Sequence, residues 1–310
     1  MMKYDLLIIG AGPAGLTAGI YSARFKINHL VIGEEIGGQM SLAYKIGNYP
    51  SESEIQGTLL VQKIEKAAKD NGVKIKIGKV EEIKKEKNIF SVLLEGGEEI
   101  KTKAIILSSG LKRKKLGLSR EEELRGKGIH YCFICDGVFY QDKIVAMVGG
   151  GNSALTGSLY LAEIAKEVFL ICIEKDKNEL LAEPIWIDKA ISHPKIKVFW
   201  ETRIAEFLGN NFLKGAIIEN LKNKEKEEIR VDGVFIEIGG KANLPKMDFK
   251  LKLTEDGLVE IDMDQSTNIK GFFASGDLTN GSNKVKQIIT AMSEGAVAAR
   301  SAFLYLKSTR

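Results

Sequence analysis

Tyr4-Asp5-Leu6-Leu7-Ile8-Ile9-Gly10-Ala11-Gly12-Pro13-Ala14-Gly15 opens the chain with an apolar run that stops at a glycine. Such a run reads as a strand buried on both faces, the pattern of a parallel sheet. An amphipathic helical pattern follows to about Phe25, so the order is strand, glycine turn, helix. That order gives the spacing of Gly10, Gly12 and Gly15, with Pro13 and Ala14 between them, its meaning: backbone N–H groups at a helix N-terminus can approach a pyrophosphate. Asn28-His29-Leu30-Val31-Ile32 supplies a second strand, and Glu34 or Glu35 then stands where an acidic side chain accepts hydrogen bonds from a ribose diol. The alternative is a tight structural turn that holds no ligand.

The same pattern returns in mid-chain. Lys143-Ile144-Val145-Ala146-Met147-Val148 runs into Gly149-Gly150-Gly151-Asn152-Ser153-Ala154 and a helical pattern to about Lys166; Val168 to Ile173 forms the next strand and ends in Glu174-Lys175. Two such units describe two dinucleotide folds rather than a solenoid. The fold class is α/β, with two Rossmann-like, three-layer ββα nucleotide-binding domains.

Between them lie Gly37-Gly38-Gln39-Met40, Asn48-Tyr49-Pro50 and a helical pattern from Gly57 to Asn71. Val73 to Ile77 and Ile89 to Leu94 alternate like strands of a small antiparallel layer, and Ala104 to Leu107 runs as a buried strand into Ser108-Ser109-Gly110. Lys112-Arg113-Lys114-Lys115 breaks the apolar pattern as a solvated hinge, or as a partner-docking segment. Short strand patterns fill Ile196 to Ile238. After a second crossing near Lys241 to Pro245, the chain reaches Gly276-Asp277 and a final helix expected from about Asn283 to Leu306. The last segment is expected to return to the first domain, so that one domain comprises residues 1–112 and 243–310 and the other, residues 113–242, is an insertion.

Cys132-Phe133-Ile134-Cys135-Asp136-Gly137 lies inside the expected insertion. Thiols at this spacing can close a small disulfide loop, and a thiolate formed there can attack another disulfide. The pair is equally half of a zinc site, whose other ligands would come from Cys172, His29, His130 and His193. Cys172 and His29 lie in apolar strands as structural side chains, which leaves too few ligands for tetrahedral closure, so no metal is expected. Asp136 reads as an acid/base group or as a turn or N-cap residue.

With 44% hydrophobic and 28% charged residues in 310, the composition suits two ordinary globular domains. The net charge of +4 is dispersed in mixed-sign runs such as Lys222 to Glu228, which is a solvated surface rather than a nucleic-acid stripe. No apolar run reaches transmembrane length, and the first strand begins too early for a signal peptide, so a cytoplasmic protein is expected. In a reducing cytosol a disulfide is catalytic more often than structural.

Taken together, Gly10 to Gly15, Gly37-Gly38-Gln39, Asn48-Tyr49-Pro50, Cys132-x-x-Cys135-Asp136-Gly137, Gly149 to Ala154, Gly276-Asp277 and Lys286-Gln287 resemble the low-molecular-weight thioredoxin reductases, nearly end to end. The resemblance implies a homodimeric FAD flavoprotein that reduces thioredoxin or a thioredoxin- or glutaredoxin-like protein. It implies that Gly10, Gly12, Pro13, Ala14, Gly15, Glu34, Glu35, Gly38, Gln39, Asn48, Ser109, Gly110, Gly276, Asp277, Lys286, Gln287 and Ile288 line the FAD site. Gly149, Gly151, Asn152, Ser153, Ala154 and Glu174 would serve a nicotinamide nucleotide. It further implies that Cys135 faces the flavin, that Cys132 attacks thioredoxin, that Asp136 moves protons, and that the domains rotate about the two crossings between half-reactions.

Two departures bear on function. NADPH-using members carry a His-Arg-Arg-type cluster where this chain has Cys172-Ile173-Glu174. Glu174 would repel a ribose phosphate and favour a bare diol, which ranks NADH above NADPH and leaves ferredoxin or a flavoprotein as another donor. The family's Gly-His-x-Pro-Asn turn is here Gly239-Gly240-Lys241-Ala242-Asn243, without the His and Pro. A non-catalytic flavin-binding regulator is the competing class of protein.

Overall fold

The protein was analysed as a computed structural model that describes residues 4–43 and 45–309. The chain forms two compact units, Met1–Lys112 with Lys241–Arg310, and Arg113–Gly240.

The centre of the first unit is a five-stranded parallel sheet ordered Phe272–Ala274, Ala104–Leu107, Leu6–Ala11, His29–Ile36, Ile75–Ile77. Because successive strand residues point to opposite faces, the opening apolar run feeds two cores. Leu6 and Ile8 pack with the helices Pro13–Arg24, Gly57–Asp70 and Ile288–Ser308. Leu7 and Ile9 pack with a four-stranded sheet ordered Lys246–Met247, Val80–Glu86, Ile89–Leu94, Glu99–Thr102, antiparallel except for the short edge strand Lys246–Met247, which runs parallel to Val80–Glu86. All four side chains are buried, each contributing roughly 1.5–3 kcal/mol. A continuous apolar strand is therefore what a three-layer unit requires.

The second unit repeats the plan. Its parallel sheet is ordered Ile196–Phe199, Glu167–Ile171, Ile144–Val148, Gly233–Ile236, Ile129–His130. Val145 and Met147 face the core shared with Asn152–Ile164 and Pro184–Ile191. Ala146 and Val148 face the core shared with the antiparallel strands Thr202–Leu208, Gly215–Asn220 and Lys226–Ile229.

Three local expectations need correction. Ile75–Ile77 is the edge of the parallel sheet, paired with His29–Ile36, and does not belong to the antiparallel layer. That layer is completed by Val80–Glu86 and Glu99–Thr102, whose outward Glu and Lys residues hide the apolar alternation. The last helix starts at Ile288 rather than Asn283, because Gln287 and Thr290 form a capping box that fixes its first turn. The basic run at 112–115 is only partly solvated: Arg113 is the last residue of the strand Leu111–Arg113 and pairs with the carboxylate of Glu237.

Candidate active site: two glycine turns and a cysteine pair

In the first unit, Gly10 has φ +115°, and a Cβ there would stand 2.1 Å from the carbonyl oxygen of Ser108. A Cβ on Gly15 would stand 1.8 Å from the carbonyl oxygen of Gly10. Packing demands both glycines. Gly12 differs: its φ of −79° is open to any residue, and a Cβ would meet nothing nearer than the Gly37 carbonyl oxygen at 3.9 Å. The fold does not need a glycine at this position. What the missing side chain preserves is space before the N-terminus of Pro13–Arg24, whose N-cap is a glycine and so offers no side chain to the first N–H groups. An open cradle at a helix N-terminus fits a pyrophosphate.

The far end of the same unit is built from the chain's last third. Gly276 N–H and the Thr279 hydroxyl donate to the buried carboxylate of Glu294 at 2.7 and 2.9 Å, which fixes the turn carrying Asp277. Burial pushes the Asp277 carboxyl up to about 6; Lys286 opposes the shift and Glu294 adds to it. Asn48 Nδ2 donates to Gln287 Oε1 at 3.0 Å, and Gln287 caps the helix that begins at Ile288. Gln39, next to Gly38 with its φ of +53°, donates through Nε2 to the Leu111 carbonyl at 3.2 Å.

Other residues from the sequence reading lie differently. Asn243 N–H donates to Gly110 O at 2.9 Å and Asn243 Nδ2 to Ser109 O at 3.4 Å, so the backbone of Ser109 and Gly110 anchors the returning chain. Glu34 and Glu35 are both exposed at the end of their strand, and neighbours on a strand face opposite ways, so only one of them can serve the turn. Glu294 had no sequence signal, being one acidic residue in an otherwise ordinary helix.

In the second unit, Gly149 has φ +135°, and a Cβ there would stand 2.3 Å from the Glu237 carbonyl oxygen. A Cβ on Gly150 would stand 2.7 Å from each carboxylate oxygen of Glu174, so that carboxylate lies against the turn. Glu174 Oε2 is buried and accepts no hydrogen bond among the described residues. A buried acceptor without a donor is unusual, and a ribose hydroxyl would satisfy it. Gly151, with φ −94° and no atom within 4 Å of a Cβ, leaves space before Asn152–Ile164 as Gly12 does in the first unit. Asn152 itself holds the loop at Glu183, accepting from its N–H at 2.7 Å and donating to Oε1 at 3.3 Å. Ser153 follows in the first turn, and Ala154 packs into the core. Lys175, a possible phosphate partner, pairs with Glu179 at 2.8 Å. The Cys172 thiol is buried, and burial followed by the charge of Glu174 pushes it up to about 12.

Cys132 and Cys135 are joined as a disulfide with Cα atoms 5.3 Å apart. Cys132 caps the short helix Phe133–Asp136, and the Cys135 N–H donates to its sulfur at 3.2 Å. Asp136 ends that helix and stands at the N-cap position of the 3-10 turn Gly137–Tyr140, although its side chain makes no capping hydrogen bond there. Its Oδ2 lies 3.0 Å from His130 Nδ1, while His130 Nε2 lies 2.6 Å from the Tyr140 hydroxyl. His130 was legible in the sequence only as a zinc candidate. The segment ahead of the pair is fixed by Glu121, which accepts from the backbone N–H groups of Leu116, Gly117 and Leu118 and from the Tyr131 hydroxyl. Among the described residues no group of three or more His, Cys, Asp or Glu is placed to hold a metal, and no helix is long and apolar enough to cross a membrane.

Two strand–glycine turn–helix units, one carrying a cysteine pair beside a carboxylate, define a nucleotide-dependent disulfide oxidoreductase. Consistently, the pattern of the pyridine nucleotide-disulphide oxidoreductases matches residues 4–295. A "34.2 kDa protein in rubredoxin operon" from Clostridium pasteurianum is 38% identical over 98% of this chain and 97% of its own. A thioredoxin reductase from Peptoclostridium acidaminophilum is 35% identical over 98% of both. The crystal structure of Lactococcus lactis thioredoxin reductase superposes with a TM-score of 0.92 at 32% identity, covering 99% of this chain and 100% of that one. The chain belongs to the pyridine nucleotide-disulphide oxidoreductases, and among them to the low-molecular-weight thioredoxin reductases. It is an oxidoreductase enzyme, which sets aside the reading as a non-catalytic regulator.

Proposed function

We propose that the protein is a thioredoxin-disulfide reductase whose redox centre is Cys132 and Cys135, that NADH is its preferred donor, and that thioredoxin or a related thioredoxin- or glutaredoxin-like protein is its acceptor. The observation that carries this reading is the disulfide joined to a carboxylate–imidazole pair in one short segment. In this reading the enzyme is a cytoplasmic homodimer, the discontinuous unit holds FAD and the inserted unit holds the nicotinamide nucleotide.

Gly12 and the N-terminal N–H groups of Pro13–Arg24 would hold the FAD pyrophosphate. Asp277, Gln39, Asn48, Gln287 and the N-terminus of Ile288–Ser308 would orient the rest. FAD, when bound, supplies the two electrons that convert the disulfide to a dithiol. Everything after that is done by the chain. The Cys135 N–H favours the thiolate form of Cys132 by donating to its sulfur. The Cys132 thiolate attacks the carrier disulfide; an S–S bond forms between them, the carrier's own S–S bond breaks, and its first sulfur leaves with a proton from Asp136. Cys135 then gives its proton to Asp136, and the resulting thiolate attacks the Cys132 sulfur; the protein disulfide re-forms, the mixed S–S bond breaks, and the second carrier sulfur leaves with that proton.

The donor ranking is supported by Glu174, whose unpartnered oxygen lies against the second glycine turn where a phosphate would meet like charge. A second reading replaces the nucleotide by ferredoxin or a flavoprotein. It is favoured by the lost basic cluster and by a relative named for a rubredoxin operon. Anaerobic mixing of the flavin-loaded enzyme with NADH, NADPH and reduced ferredoxin tests both. Faster reduction by NADH supports the first reading, and reduction by ferredoxin alone supports the second. Carrier turnover that is equal in wild type and Cys135→Ser rejects the dithiol mechanism whichever donor works.

A further inference from the structure

His130 is the last residue of the strand Ile129–His130, and its imidazole is buried although it is polar on both sides. It stacks on Phe235 with ring centroids 5.2 Å apart and meets the Tyr140 ring edge-on at 5.3 Å. Neither ring nitrogen is wasted: Nε2 meets the Tyr140 hydroxyl at 2.6 Å and Nδ1 meets Asp136 Oδ2 at 3.0 Å. Three side chains from three short elements thus form one line that ends at the carboxylate next to the redox disulfide.

The charges around this line decide where its protons sit. Burial lowers the pKa of His130 more than the charge of Asp136 raises it, so the ring favours its neutral form. Burial, then the charges of Asp136 and Asp232, push the Tyr140 phenol up to about 12, so it keeps its proton. Lys143 stands 5.8 Å over the Tyr140 ring, and Asp232 is engaged by the Ile144 N–H. A phenol that keeps its proton can donate to Nε2, which places the single imidazole proton on Nδ1, facing Asp136. When Asp136 takes up a proton, its hydroxyl can donate to Nδ1 if the imidazole proton moves to Nε2. The ring has an answer for each state of the carboxylate, and no unpaired buried charge is created in either.

We propose that His130 is a positioning residue for the disulfide exchange, holding Asp136 in both of its protonation states while Tyr140 sets which ring nitrogen carries the proton. This deepens the reading of Asp136 as proton carrier and rests on it. It assigns a role to a residue outside the Cys-x-x-Cys-Asp motif, and it needs no ligand.

The test uses flavin-loaded protein whose thiols have been reduced beforehand, mixed in a single turnover with thioredoxin disulfide from pH 5 to pH 9. His130→Phe is expected to move the acid-side inflection of the rate by about one pH unit and to slow exchange about tenfold at neutral pH. His130→Asn, which keeps a donor near the Nδ1 position, is expected to restore most of the inflection. Tyr140→Phe is expected to give a smaller displacement of the same sign. A His130→Phe profile that overlays wild type, while Asp136→Asn is slow, overturns the proposal and leaves the proton-carrier reading standing. If Asp136→Asn is also normal, both fall. Nitrogen-15 histidine spectra of the oxidised wild-type protein, which has three histidines to assign, give an answer independent of any variant's folding. Nδ1 protonation of His130 at pH 7 is expected, and Nε2 protonation overturns the assignment.

Discussion

The side chains of Asn48 and Gln287 meet through a 3.0 Å hydrogen bond from Nδ2 to Oε1, although 239 positions of sequence separate them. The bond ties the loop after the first glycine turn to the cap of the last helix, so two parts of the proposed flavin site hold each other in place.

Because each partner orients the other, Asn48→Ala and Gln287→Ala should each weaken flavin binding about tenfold, and the double variant should be little worse than either alone. Flavin fluorescence titration of apoprotein measures all three. Fully additive losses would show that the two side chains act separately.

The contrast between Gly12 and its neighbours gives a second expectation. Gly12→Ala should leave the thermal stability of the apoprotein within about 0.5 kcal/mol of wild type, since neither φ nor space forbids it, while flavin retention falls sharply. Gly10→Ala should fail to fold well, because its Cβ would strike the Ser108 carbonyl. Calorimetry with and without FAD separates the two. A Gly12→Ala protein that binds FAD normally would falsify the cradle.

Glu174 is expected to govern nucleotide choice. Glu174→Arg should lower the rate of flavin reduction by NADH and raise that by NADPH, changing their ratio by about 1.4–3 kcal/mol, or 10- to 100-fold, in favour of NADPH. Stopped-flow absorbance at the flavin band reads the ratio directly, and an unchanged ratio contradicts the role.

A pH-dependent stability is expected from Arg113 and Glu237. Burial raises the Glu237 carboxyl to about 7, and Arg113 opposes that rise. A carboxyl raised on folding costs stability as pH climbs from its unfolded value toward 7, because the native state must then hold the charge. Arg113→Met removes the compensating cation, so it should destabilise by about 2–4 kcal/mol at pH 8.5 and by clearly less at pH 5, where Glu237 is protonated in both proteins. Denaturant titrations at the two pH values check this, and equal losses would contradict it.

Much of the fold was legible because parallel strands buried on both faces have no polar residues to blur them: Leu6 to Ile9 and Val145 to Val148 each announce a sheet with a core on either side. The antiparallel strand Val80–Glu86 was illegible because Glu81, Glu82, Lys84, Lys85 and Glu86 leave only two apolar residues to mark it. The glycine turns and the cysteine pair were legible as motifs, since their chemistry requires particular residues at fixed spacing. Glu294, Glu121 and His130 were not. Each acts through groups brought to it by the fold, and a buried carboxylate that accepts backbone N–H groups has no mark in sequence to distinguish it from a surface one.

The central claim is that Cys132 and Cys135 store the electrons delivered through the flavin. Anaerobic titration of the flavin-loaded enzyme with dithionite counts them. Wild type should take up about four electrons, two for the flavin and two for the disulfide, and Cys135→Ser about two. Uptake of only two by wild type, with the disulfide intact in the reduced sample, would contradict the account.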